Sequence, residues 1–75
     1  MELNEAIAIV KKATGRDPKC YYDDNTRFIF GIAELGELIN PVQVDKRTKE
    51  LNVFRPWEDD TSDIFGNPNK SFTAL

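Results

Sequence analysis

The chain reads as an α+β protein: an N-terminal amphipathic helix packed on a four-stranded antiparallel β-meander, followed by a short C-terminal helical turn and a tail. Three observations predict this. Apolar residues recur at three-and-four spacing near the start, as on one face of a helix. Further along they alternate with period two in two pairs of short runs, each pair separated by polar turn residues. The third observation is size and composition. At 75 residues and 40% hydrophobic, the chain is one small domain (1–75), too apolar to be disordered throughout. A chain of this size buries only roughly 60–65% of the surface its unfolded form exposes.

The helix is expected over 3–14. Leu3, Ala6, Ile7, Val10 and Ala13 form its stripe, which Ile9 widens. Asn4 is placed to cap the start, and Glu5 suits the positive end. Lys11 and Lys12 suit the negative end, Gly15 stands where a C-cap glycine belongs, and Pro18 prevents resumption.

Two strands follow, at 19–23 and 27–33, joined by a turn with Asp24 and Asn25 at its centre. That pairing sets Tyr21 opposite Phe28 and Cys20 opposite Ile29. One face then carries Tyr21, Phe28, Phe30 and Ile32, a surface suited to the helix. The other carries Cys20, Tyr22 and Ile29.

Residues 34–40 connect to the second hairpin through Gly36. Leu35, Leu38 and Ile39 are too apolar for a freely solvated loop, so they either fold over a sheet edge or meet a partner.

The second hairpin, strands 41–45 and 50–54, is the clearest pattern in the chain. Pairing Asp45 with Glu50 sets Val44 opposite Leu51 and Val42 opposite Val53. All four apolar side chains then share the helix face, and Gln43 and Asn52 share the other. A slip of one residue would scatter that set, so the pattern fixes the pairing. Asp45 is placed to accept hydrogen bonds from the turn backbone, and Thr48 is a usual turn residue. Lys49 falls at the left-handed position, where glycine would be the ordinary choice.

After Phe54 the alternation ends. The segment 57–75 is expected to hold a helical turn near the acidic run Glu58-Asp59-Asp60-Thr61-Ser62-Asp63, stopped by Gly66-Asn67-Pro68-Asn69. The last residues read as a loose tail in which Phe72 and Leu75 are able to dock. What covers Cys20, Tyr22, Ile29 and Phe54 is open: Trp57, Ile64 and Phe65, or a second copy of the chain.

Composition excludes more chemistry than it indicates. There is no histidine, which removes the usual general base and every His-containing triad. Cys20 is the single cysteine, so no internal disulfide forms and no zinc pattern exists. Its reading is a partly buried strand residue, because neither a base nor a helix N-terminus activates it. The four glycines are isolated and build no phosphate loop. Asp23, Asn25 and Glu34 sit at calcium-loop spacing, but Phe28 stands where that loop needs glycine and Arg27 adds a cation. No cofactor and no metal are expected, and the chain reads as non-enzymatic.

Thirteen acidic against ten basic residues give a net charge of −3, with the basic residues dispersed, which argues against nucleic acid as a partner. No apolar run approaches the ~20 residues that span a bilayer, so no membrane is expected. The N-terminus lacks the basic region of a signal sequence, and with one cysteine this points to the cytoplasm.

Val44-Asp45-Lys46-Arg47-Thr48-Lys49-Glu50, followed by Phe54 and Pro56, resembles the V-D-K-x-T-G-E…F-x-P hairpin of small proteins encoded in phages and prophages of Gram-positive bacteria. PepSY-like domains and some small toxin-immunity proteins carry a similar hairpin. The resemblance spans roughly residues 3–56, and Lys49 departs from it where the glycine normally stands. It implies a non-enzymatic protein that binds another protein.

Apolar surface in excess of what so small a chain can bury points the same way, to a protein–protein interaction module that self-associates or binds a protein partner. Its expected contact residues are Leu35, Leu38, Ile39, Phe54, Trp57, Ile64 and Phe65, tryptophan being a frequent interface anchor. The competing expectation is an inhibitor or immunity-type protein whose acidic run blocks a basic protein.

Overall fold

A computed structural model describes residues 1–54 and 72–75 of the chain. The elements are α1 (Leu3–Thr14), β1 (Cys20–Asp24), β2 (Arg27–Gly31), β3 (Val42–Asp45), β4 (Leu51–Val53) and β5 (Thr73–Ala74). The α+β expectation holds: one N-terminal helix and one antiparallel sheet. The sheet has five strands rather than four, in the order β4-β3-β2-β1-β5.

The fifth strand corrects the reading of the last residues as a loose tail. Thr73 pairs with Tyr21 and Ala74 with Cys20. The Leu75 amide donates to the Lys19 carbonyl at 3.0 Å, so β1 is no longer an edge. The expected C-terminal helical turn lies outside the described residues, as do Trp57, Ile64 and Phe65.

Helix α1 starts and stops with different precision. Its N-cap is Glu2, in extended conformation and without a side-chain cap, not Asn4, which already sits in the first turn. Its C-terminus is closed as expected: Gly15 adopts φ 71, a left-handed value that glycine reaches without steric cost, and its amide bonds the Lys11 carbonyl at 2.9 Å. The helix buries Ala6 and Val10 completely, flanked by Leu3, Ile7 and Ile9, while Ala13 is exposed.

Under the helix lie Phe28, Phe30, Ile32, Val42 and Val44, the helix-side face of β2 and β3 with the residue that follows β2. Helix α1 packs over β3 and β4, and Tyr21 and Leu51 pack, partly buried, against this core. Val53 shares that face but stands 46% exposed at the sheet edge, so the helix does not cover it as expected.

The β3–β4 hairpin has the register read from its alternation, with Val42 opposite Val53, Gln43 opposite Asn52 and Val44 opposite Leu51. The Asp45 carboxylate accepts from the amides of Arg47 and Thr48, both at 2.8 Å, and Lys49 has φ 63.

In the β1–β2 hairpin the turn is centred one residue later than expected, on Asn25 and Thr26, with Asp24 paired to Arg27. The reason is local. The Asp24 carboxylate accepts from the Asn25 amide at 2.8 Å and from Arg27 Nε at 3.2 Å, which keeps Asp24 in the ladder. Tyr21 therefore faces Phe30 and Cys20 faces Gly31. Moving the turn by one residue shifts the pairing by two, so every side chain keeps its expected face.

The reverse face holds a second, smaller core. Ile29 and Phe54 are fully buried there, with Tyr22 and Phe72 packed against them. The rings of Tyr22 and Phe72 lie 5.9 Å apart, and the Arg27 guanidinium stands 5.2 Å from the centre of the Phe54 ring.

Candidate interaction surface

The connection between β2 and β3 carries the most exposed apolar side chains described. It turns sharply at Glu34-Leu35-Gly36-Glu37, where the Glu37 amide donates to the Glu34 carbonyl at 3.0 Å. Gly36 has φ 86 and Leu35 does not have a positive φ. Together these define a type II turn, whose third position requires the left-handed region and hence glycine.

Two ion pairs brace this turn. Arg16, just beyond the end of α1, holds both oxygens of Glu37, at 2.6 and 2.9 Å. Such a planar fork fixes orientation as well as distance. Glu37 Oε1 also accepts from the Glu34 amide at 2.7 Å, and Lys19 Nζ lies 2.8 Å from Glu34 Oε1. The Arg16 hydrogen bond, followed by the Glu34 amide, holds the Glu37 carboxyl below its ordinary range. Glu37 in turn raises Arg16, and Glu34 raises Lys19.

Leu35 and Leu38 project from this braced turn with relative exposures of 105% and 103%. A single exposed leucine is ordinary. Two within four residues on a turn fixed by ion pairs are less ordinary, since a protein partner that covered both would gain apolar burial beside polar groups. Burying a leucine contributes about 1.5–3 kcal/mol, which an occupant of this site would gain.

The other expected contact residues divide. Ile39 packs against the helix-side core, so the connection folds down at its end while its leucines stay out. Phe54 is fully buried against Ile29. Trp57, Ile64 and Phe65 lie outside the described residues. What sequence reading missed was the bracing, since nothing in the chain marks Arg16 and Glu37 as partners.

A polar hollow of about 210 Å³ lies on the reverse face, lined by Thr26, Arg27, Gln43, Asp45, Glu50 and Asn52. Arg27 and Asp45 already have partners. Arg27 Nη1 donates to Gln43 Oε1 at 2.6 Å, and the turn amides of Thr48 and Arg47 hold the Asp45 carboxyl below its ordinary range. A general acid needs the opposite shift. Among the described residues, no group of three metal-ligating side chains is placed to hold an ion. Among the same residues, no helix is long and apolar enough to cross a membrane. Comparison with protein-family models, with curated proteins and with solved structures finds no match to the chain.

Proposed function

We propose that this chain is a non-enzymatic protein–protein interaction module, cytoplasmic and self-associating, whose principal contact surface is the Leu35–Leu38 turn. The supporting observation is the full exposure of both leucines on a turn fixed by Arg16 and Glu37. A turn ordered in advance loses less entropy on binding, which favours recognition over flexible solvation. The hairpin's resemblance to small phage and prophage proteins supports a non-enzymatic, protein-binding role. The competing reading, an acidic inhibitor of a basic protein, rests on residues 58–63, outside the described residues.

The two readings differ in salt dependence. Immobilised full-length protein should retain its partner from a host lysate in molar salt, because apolar contact resists screening. Loss of the partner between low and moderate salt would contradict the leucine surface and favour acidic blocking.

A further inference from the structure

Among the described residues, strand β4 is an edge of the sheet. The Asp45 amide donates to the Glu50 carbonyl at 2.9 Å, and the Phe54 amide to the Pro41 carbonyl at 2.8 Å. Antiparallel ladders alternate, so Glu50, Asn52 and Phe54 turn their backbone groups toward β3 while Leu51 and Val53 turn theirs away. Among the described residues no strand lies beyond β4. Asn52 and Val53 are exposed. Leu51-Asn52-Val53 carries no lysine, proline or bulge to block pairing, and its shortness limits how much pairing it can support.

We propose that this edge pairs with the same edge of a second copy, antiparallel about a two-fold axis through Asn52. The inference rests on the self-associating reading above and gives self-association a surface of its own, separate from the leucine turn. A second copy is the occupant that the strand itself specifies, because the segment is complementary to its own reverse. With the axis at Asn52, Leu51 lies opposite Val53 of the second copy, and all the outward amides and carbonyls of both residues find partners. The exposed Val53 then meets an apolar side chain on the helix side, and the two Asn52 carboxamides meet on the reverse side. Glu50 falls opposite Phe54, so no like charges oppose each other between residues 50 and 54.

Neighbouring axes fail. Centring on Leu51 would set Val53 against Lys49, whose φ of 63 takes it out of the ladder. Centring on Val53 would set Leu51 against residue 55, beyond the end of β4. A contact built on a strand of 3 residues is small, so the dimer is a reversible one.

The test is sedimentation velocity on the full chain from low micromolar to millimolar concentration, together with a cross-linking comparison. The expected result is a monomer–dimer shift that Asn52→Lys weakens about fivefold, since it opposes two cations across the axis. In a Cys20→Ala background, Asn52→Cys should form a disulfide dimer much faster than Asn25→Cys at the exposed β1–β2 turn. Directly opposed, non-hydrogen-bonded strand residues lie within disulfide reach. Equal cross-linking rates, or a dimer indifferent to Asn52→Lys, would overturn the edge pairing and leave self-association to another surface. A strict monomer that still binds a protein through its leucine turn would overturn the edge pairing while the interaction-module reading stands.

Discussion

The Arg16 guanidinium holds both carboxylate oxygens of Glu37, 21 positions further along the chain, and so ties the end of α1 to the turn that displays Leu35 and Leu38. Helix, sheet and turn thereby form one unit. The pair organises the candidate contact surface without belonging to its apolar centre.

Glu37→Gln should loosen the turn more than it destabilises the fold, because a partly exposed pair is screened by water. The expected result is faster amide exchange at Glu34 and Glu37 with little change in melting temperature. The pH dependence has a definite sign. The folded pKa of Glu37 lies below its unfolded value, so its contribution is complete above the ordinary carboxylate range and is lost as pH falls through the lowered value. Glu5, through Lys49, and Asp45, through its turn amides, act in the same direction. Turn protection in the wild type should therefore decline on acidification below the ordinary carboxylate range, and in Glu37→Gln it should be nearly flat there. Exchange measured across that range checks this.

Lys49→Gly should raise the melting temperature. Relieving a left-handed non-glycine residue is worth on the order of 1 kcal/mol, and about 4–8 °C accompanies each kcal/mol in a domain of this size. Lys49 also pairs with Glu5 at 2.6 Å, an exposed contact whose loss offsets part of the gain. The rise should thus be larger in a Glu5→Gln background than in the wild type. A fall in both backgrounds would contradict the turn geometry.

Gly31→Ala should destabilise by about 1–3 kcal/mol, the usual range for overpacking. A Cβ at Gly31 would lie 2.6 Å from Cys20 Sγ on the paired strand. Cys20→Ala removes the obstructing sulfur, so the double variant should recover most of the loss. Denaturant titration of the four proteins measures this coupling.

Phe54→Ala separates a core role from a contact role. Removing a fully buried phenylalanine costs about 3–5 kcal/mol, a large share of the roughly 5–15 kcal/mol that holds a domain together. Loss of cooperative folding is the expected outcome. A well-folded variant with impaired binding would return Phe54 to the contact surface.

The parts of the fold legible in the sequence are those where alternation runs through both partners. Val42, Val44, Leu51 and Val53 admit one pairing that keeps them on a common face, so the β3–β4 register follows from pattern alone. In β1–β2 the aromatic pattern fixes which face each side chain takes but is indifferent to a shift of two. The side chain of Asp24, bonded to Asn25 and Arg27, decides that register. Thr73–Ala74 is too short to alternate, and its pairing with β1 is set by tertiary contact. At the candidate site, composition marks Leu35, Leu38 and Ile39 as anomalous for a loop. Which of them docks depends on a turn braced by a long-range ion pair, and no local signal carries that.

Leu35 and Leu38 are the residues proposed to contact a protein partner. The most direct measurement compares partner retention by wild type and by Leu35→Ser/Leu38→Ser from the same host lysate, with thermal melting of both as the control. Both side chains are fully exposed, so the double variant should melt as the wild type does. It should retain the partner at least about tenfold less well, given the burial lost from two leucines. Equal retention by two equally stable proteins would mean that the partner binds elsewhere and the leucine turn is not the contact surface.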